Sequence, residues 1–296
     1  MCRTVQAEVE TQMVQFKKYP IYVVYSRHNQ NDSRELASRY NREAMKLEKE
    51  GARKNDPAMK AAARREYEWE KLVENTALTT EDSDPRYKKE ADKYRTDVIN
   101  RLKLIEAVPI GKTLLSMFQN DVYIVPRPPG GSYAAQTYPL DWDTEQGFAF
   151  GKGDSYIWFE PNSDFKDDVL FHELTHAYRY SVGKFNRVAM ADNEYNTEEF
   201  YAHQLQNMYR SYKGLWLEFS YSSSVTSPRG GKWGTKQEIY DHFLSHDDFA
   251  NVLKQFLDTD DFVRSVRHLR FPDYNPFRDY PSIQKQVDTI NRMRGN

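Results

Sequence analysis

Two histidines and a glutamate in residues 169–177 (VLFHELTHA) have the spacing of a metal-binding, water-activating group. On a helix, His172 and His176 lie four residues apart and project from the same face, so both imidazoles can bind one tetrahedral metal ion. Glu173 lies beside the first histidine and can reach a metal-bound water without binding the metal itself. There it would act as a general base and then pass the proton to a leaving amine.

The flanking residues place this pattern inside a packed helix. With seven histidines in 296 residues, an HExxH sequence arises by chance on the order of once per hundred such chains. Val169, Leu170 and Phe171 precede the first histidine and would bury one side of the helix. The pattern therefore predicts a metal centre with Glu173 as its catalytic base.

A third protein ligand is required to complete such a centre. No histidine follows at the spacing that a metzincin needs, so the candidates are acidic. Glu198 and Glu199 both open a predicted helix in which Ala202, a small residue, leaves room beside the histidine helix. Periodicity leaves these adjacent glutamates as alternatives, and both also suit the N-terminus of an ordinary helix. The earlier acidic candidates are Asp192 and Glu194.

Several short runs around the motif carry a resemblance to a known family. They are 110–115 (IGKTLL), 159–161 (FEP), 168–179 (DVLFHELTHAYR), 199–202 (EFYA) and 207–211 (NMYRS). Together they resemble the effector-type zinc metallopeptidases of bacterial toxins. The resemblance implies a zincin-like core of gluzincin type that holds one Zn²⁺ per chain. It implies His172, His176 and Glu199 as the ligands, because the glutamate before the aromatic pair is the third ligand in such proteins.

The same resemblance implies a biological setting. A protein of this kind would cut a protein or peptide substrate in another cell, and an immunity protein or a secretion chaperone would be a further partner. Residues 21–25 (IYVVY) are too short for the hydrophobic region of a signal peptide, and no small-residue cleavage site follows. We expect synthesis in a bacterial cytoplasm without a cleavable signal peptide, then export by a specialised system.

Groups that could stabilise the transition state are less sharply indicated. Hydrolysis develops negative charge on the carbonyl oxygen, and a Tyr, His or Arg donor commonly lies near it. Tyr201 and Tyr209 follow Glu199 closely in sequence. His242 stands four residues before His246 on a predicted helix, where the pair could supply a donor, bind a second metal ion, or lie at the surface or at a helix cap.

Composition limits the classes of protein to consider. Lys and Arg number 42 and Asp and Glu 44, so the formal charge of −2 argues against nucleic acid as an obligatory partner. No stretch approaches the roughly 18 apolar residues that a membrane-spanning helix needs. The single cysteine, Cys2, excludes an internal disulfide and a cysteine-based zinc site. The 14% aromatic content is too high for a disordered chain.

The remaining sequence predicts an α+β fold in three regions. These are a mostly helical N-terminal region at 1–105, a zincin-like metallopeptidase core at 106–220, and a C-terminal loop and helical region at 221–296 packed on the core. Within the core, strands are predicted at 121–125 and 155–159, and we expect them to form the edge of a small sheet along which a peptide substrate could bind.

Helices are predicted from capping residues and periodicity. The motif helix should run over 164–180, and a second should begin at Asn196 or Thr197 and end at Tyr212. Residues 274–281 look irregular because prolines interrupt them. Further helices are predicted at 61–72, 91–105, 236–245 and 249–257.

Two other interpretations predict different behaviour. In the first, the protein is a catalytically retired, zinc-stabilised protein-binding module, which would melt in a metal-dependent way without cutting a substrate. In the second, it is a helical adaptor in which HExxH is accidental, and it would bind no stoichiometric metal. An intact Glu173 argues against the first, because a structural zinc site has no use for a general base.

Overall fold

The fold is of the α+β class, which confirms the sequence prediction at that level. The computed structural model describes residues 13–24, 30–57, 59–60, 63, 67, 85–126, 135–139, 142–143, 148–149, 152–161, 166–185, 196–219, 233–244 and 249–294. None of the helices among these residues is both long and apolar enough to cross a bilayer.

The chain divides into two compact units that alternate along the sequence. The first unit comprises Met1–Lys103 and Phe118–Lys184, and the second comprises Leu104–Met117 and Phe185–Asn296. The three regions predicted from the sequence, with boundaries after residues 105 and 220, stay a prediction.

Strands are concentrated in the first unit. Its described strands are β1 (Met13–Gln15), β2 (Ile21–Val24), β3 (Val122–Val125), β4 (Ala135–Pro139), β5 (Trp142–Asp143), β6 (Phe148–Ala149) and β7 (Ser155–Phe159). Five of them form a mixed sheet in the order β1-β2-β3-β7-β4, and β5 pairs with β6. β2, β3 and β7 are parallel, whereas β1 and β4 run antiparallel to their neighbours.

The two faces of the sheet differ in side-chain type because successive residues of a strand point to opposite faces. One face carries fully buried aliphatic and aromatic side chains: Ile21, Val23, Val122, Ile124, Ile157 and Phe159. The other face carries Val24 and Val125 and a row of aromatic rings, formed by Tyr22, Tyr123, Tyr138, Tyr156 and Trp158. Adjacent rings stack across the strands, as in the pair Tyr138–Tyr156, whose centroids are 5.2 Å apart.

The sheet corrects one expectation from the sequence and adds one strand that was not predicted. The strands at 121–125 and 155–159 are confirmed as β3 and β7, but they lie in the interior of the sheet and not at its edge. Residues 21–24 form a strand that the sequence analysis did not predict. They pair with β3 because they alternate apolar residues on the buried face with Tyr22 on the aromatic one.

The helices agree more closely with the sequence. Those described are α1 (Gln30–Lys54), α2 (Pro85–Glu106), α3 (Pro109–Ser116), α4 (Asp167–Ser181), α5 (Thr197–Tyr212), α6 (Lys236–Leu244), α7 (Phe249–Thr259), α8 (Asp261–Val266) and α9 (Pro276–Met293). α2, α4, α5, α6 and α7 confirm predicted helices to within a few residues at most ends. The predicted helix at 61–72 lies largely outside the described residues.

α9 overturns the prediction of an irregular segment at 274–281. Pro276 occupies the first helical position, where a missing N–H costs nothing. The side chain of Asn275 caps the helix and accepts a hydrogen bond from the main-chain N–H of Arg278, at 3.1 Å. Pro281 lies inside the helix, and the helix continues through it to Met293, with Phe277 and Ile283 buried.

In the second unit, α5 is a buried helix surrounded by α3 and the C-terminal helices. Its side chains from Phe200 to Arg210 are all buried. Tyr201 packs edge-on against Phe256 of α7 and donates a hydrogen bond of 3.1 Å to Asp260, which also caps α8. A two-stranded ribbon, β8 (Leu217–Glu218) with β9 (Trp233–Gly234), follows α5. Asn207 fixes this ribbon through two 2.8 Å hydrogen bonds to the backbone of Glu218.

The tight turn between α2 and α3 depends on one glycine. A Cβ atom at Gly111 would lie 2.0 Å from the main-chain oxygen of Ile105 and 2.7 Å from its carbonyl carbon. Because backbone atoms cannot yield as a flexible side chain does, only glycine allows this approach.

We therefore expect Gly111→Ala to lower the free energy of unfolding by roughly 1–3 kcal/mol through overpacking. This cost outweighs the gain of up to about 1 kcal/mol that alanine brings to a helix interior. Urea unfolding followed by circular dichroism measures the change. Lys112→Ala, at the exposed neighbouring position, is the matched control and should stay within about 0.5 kcal/mol of wild type. A Gly111→Ala variant as stable as the control would contradict the packing argument.

Candidate metal centre

The helix that carries the two histidines, α4, is buried on nearly every side. All of its residues except Val169 are buried, which is typical of a helix in the interior of a domain. Asp167 and Asp168 lie in its first turn, where negative charge interacts favourably with the helix dipole. Gly183 ends it with φ of +70°, and the main-chain N–H of Lys184 donates to Arg179 across the closing turn.

His172 and His176 face each other one helical turn apart. Each is 4% exposed, and their Nε2 atoms are 3.1 Å apart. Their rings are inclined at 78°. Two nitrogens bound to one tetrahedral zinc ion lie about 3.4 Å apart, given Zn–N bonds of about 2.0–2.1 Å. The spacing of the pair is therefore close to that of two ligands of one ion, as the sequence predicts.

Glu199 completes a group of three possible ligands. Each of His172, His176 and Glu199 offers one ligand atom, and these atoms all lie within 4.8 Å of one another. Two imidazoles and one carboxylate are donors that divalent transition metals accept. This group could hold a metal ion.

The start of α5 explains why Glu199 is held in place. Asn196 is the N-cap, and its side-chain oxygen accepts hydrogen bonds from the main-chain N–H groups of Glu198 and Glu199, at 3.0 and 2.9 Å. The cap fixes the first turn, from which both carboxylates project. Glu198 is fully buried, with an exposure of 0%, and it is not in the group of possible ligands. Among the described residues, the geometry thus favours Glu199 over its neighbour.

The side chain of Glu173 is held by a residue of the five-stranded sheet in the first unit. Thr137 on β4 donates from Oγ1 to Glu173, with Oε2 at 2.7 Å and the main-chain oxygen at 2.9 Å. Glu173 itself is 7% exposed. Glu173 follows the first histidine in sequence and is not in the group of possible ligands, so its role as the general base stays a prediction.

The three candidate transition-state donors have other contacts in the second unit. Tyr201 is fully buried, and its hydroxyl donates to Asp260. Tyr209 is also fully buried, and the ammonium group of Lys213 lies 5.6 Å from the centre of its ring. The ring of His242 packs against Phe219, with centroids 4.9 Å apart. Their roles stay predictions, and Asp192, Glu194 and His246 lie outside the described residues.

Thr137, which contacts Glu173, and His203, on the same helix as Glu199, were not predicted from the sequence. Thr137 lies in a run of five residues (AQTYP) that has no clear strand pattern, so nothing in the sequence links it to the motif. His203 is fully buried on α5, one turn after Glu199. Its spacing from Glu199 equals that within the histidine pair, and this regularity could have drawn attention to it.

Comparison with known proteins assigns neither a family nor a function to the chain. No protein-family model, curated protein or solved structure matches the chain. Function is therefore inferred from the residues themselves.

We predict that Glu199→Gln raises the dissociation constant for a divalent metal ion by more than about 100-fold, because loss of even an outer-shell partner typically costs 10–100-fold. Glu198→Gln, the neighbouring glutamate in the same turn, should retain about one metal ion per chain. Elemental analysis after equilibrium dialysis measures both, and circular dichroism verifies that each variant is folded. Metal loss in the Glu198 variant alone would overturn the choice of ligand.

Proposed function

We propose that this protein is a zinc-dependent endopeptidase that hydrolyses peptide bonds of a protein substrate. The observation that carries the proposal is the group of His172, His176 and Glu199, whose ligand atoms lie within 4.8 Å of one another, together with Glu173, the residue after His172, whose carboxylate accepts a hydrogen bond from Thr137. A purely structural metal site would use four ligands and would have no need of an adjacent carboxylate.

The donor set favours zinc as the metal. Two neutral imidazoles and one carboxylate are the three protein ligands of many catalytic zinc sites, and a fourth position is left for water or substrate. Zinc, when bound, would polarise the scissile carbonyl and lower the pKa of the attacking water. The other steps fall to the residues of this chain.

Glu173 is the group that moves the proton. As a carboxylate it accepts the proton of the attacking water as the O–C bond forms at the carbonyl carbon. It then donates this proton to the departing nitrogen when the C–N bond breaks, so the carboxylate is restored at the end of the cycle. Its burial keeps bulk water from competing for the proton.

The sheet provides a place for the substrate backbone. Of the strands that the structure describes, β4 pairs on one side only, with β7. An extended peptide could add to its other side through main-chain hydrogen bonds. Thr137 lies on this strand and contacts Glu173, so a peptide bound along β4 would lie near the catalytic base.

The sequence runs that resemble effector-type zinc metallopeptidases support a biological version of the proposal. In that version the protein is a secreted bacterial effector or toxin that acts inside another cell. The retired, zinc-stabilised binding module is the alternative, and the following experiment separates the two.

We expect the wild-type protein to generate new protein N-termini in a eukaryotic or a bacterial cell lysate, measured by N-terminal labelling and mass spectrometry. Glu173→Gln should reduce their yield by at least about 100-fold, which is the typical contribution of general acid–base catalysis, while zinc content is unchanged. Glu90→Gln, an exposed glutamate on α2, is the matched control and should cut as wild type does. A chelator should abolish cleavage.

Other outcomes decide against the proposal. Stoichiometric zinc and metal-dependent melting, without new N-termini in either lysate, would favour the binding module. Equal cleavage by wild type and Glu173→Gln would exclude Glu173 as the base. A protein that binds no zinc would leave the histidine pair as a coincidence of the helix.

A further inference from the structure

The hydroxyl of Thr137 has two acceptors on a single residue. Oε2 and the main-chain oxygen of Glu173 lie 2.7 and 2.9 Å from Thr137 Oγ1. A threonine hydroxyl has one hydrogen to donate, so it serves one acceptor at a time. The side chain is only 5% exposed, and water therefore competes little for this hydrogen.

We propose that Thr137 is the positioning residue of the Glu173 carboxylate, an inference that rests on the endopeptidase function proposed above. A hydrogen bond to a carboxylate is stronger than one between neutral groups. Donation to Oε2 fixes the terminal torsion of Glu173 and leaves Oε1 to accept the proton of the attacking water. Without this bond the carboxylate can rotate away from the water.

The local structure makes Thr137 rigid enough for this role. In the antiparallel pair of β4 and β7, Thr137 lies opposite Ile157 on the buried face of the sheet. Gln136 and Tyr138 point to the other face, since side chains alternate along a strand. A β-branched side chain has few accessible rotamers, and the backbone of Thr137 is fixed by its strand partner. The hydroxyl is thus held still while the carboxylate of Glu173 adjusts to it.

The main-chain acceptor matters when Glu173 is protonated during the reaction. Its Oε2 atom is then a weaker acceptor, because the carboxyl group has lost its charge. Rotation of the Thr137 hydroxyl hydrogen can transfer the donation to the main-chain oxygen of Glu173. The buried hydroxyl keeps a partner in both states, so no unsatisfied donor opposes the proton transfer.

A double-mutant cycle tests the contact independently of cleavage. Thr137→Val removes the hydroxyl and keeps the shape, and Glu173→Ala removes the carboxylate and keeps the main-chain oxygen. The cycle uses urea unfolding of the full chain with EDTA present. We expect Thr137→Val to reduce the folding equilibrium constant about tenfold more when Glu173 is present than when it is alanine. Thr137→Ser, which retains the hydroxyl, should recover most of this difference.

A second measurement reports on the metal site. The visible absorption of bound Co²⁺ depends on what occupies its fourth coordination position. It therefore depends on the orientation of the Glu173 carboxylate. We expect Thr137→Val to shift this spectrum towards that of Glu173→Gln, whereas Thr137→Ser should match wild type. Co²⁺ content should be equal in all four proteins, because neither Thr137 nor Glu173 is a ligand.

The outcomes separate this inference from the proposed function. A coupling below about twofold, or a normal coupling with an unchanged Co²⁺ spectrum in Thr137→Val, overturns the role of Thr137 and leaves the endopeptidase proposal standing. Failure of the wild-type protein to bind Co²⁺ or Zn²⁺ overturns the endopeptidase proposal and, with it, the role of Thr137.

Discussion

Two imidazole rings buried in one helix, with Nε2 atoms 3.1 Å apart, impose the constraint on which the site depends. Such a pair is buried, so each ring nitrogen that faces the other needs a hydrogen-bond or metal partner. It is stable when one ring donates to the other or when both nitrogens face a shared cation. A helix that keeps this pair must be held firmly along its whole length, and the burial of α4 on nearly all sides meets that requirement.

In the first unit, this helix packs against the strands β4 and β7. β7 precedes it in sequence, and β4 contributes the hydroxyl that reaches the carboxylate next to the first histidine. These polar contacts therefore lie in an interior whose other side chains are mostly aliphatic or aromatic. In the second unit, an asparagine cap fixes the first turn of α5 and with it the glutamate. In both places a rigid main chain, either a paired strand or a capped helical turn, holds the residues concerned. This limits the movement of their side chains.

The parts of this site that the sequence predicts are those whose chemistry is concentrated within one helical turn. HExxH fixes the mutual placement of two histidines and a glutamate by helix geometry alone. Glu199 is harder to predict, because periodicity alone does not distinguish it from the adjacent Glu198. The role of Thr137 cannot be predicted from the sequence, because only the pairing of the strands brings it near Glu173. The same reason explains the missed strand at 21–24, whereas α9 was missed because Pro281 lies inside the helix, at a position where a proline normally predicts a break.

The parallel pairing of Ile21 with Val122 has a consequence for biosynthesis. During translation β2 leaves the ribosome long before its partner β3 exists, and of the described strands only the short β1 can pair with it in that interval. Contacts between segments so distant in sequence form slowly, and an unpaired strand edge is prone to associate with other chains. The segment that bears the histidines follows β7, so the helix emerges after every described strand of the five-stranded sheet has been made.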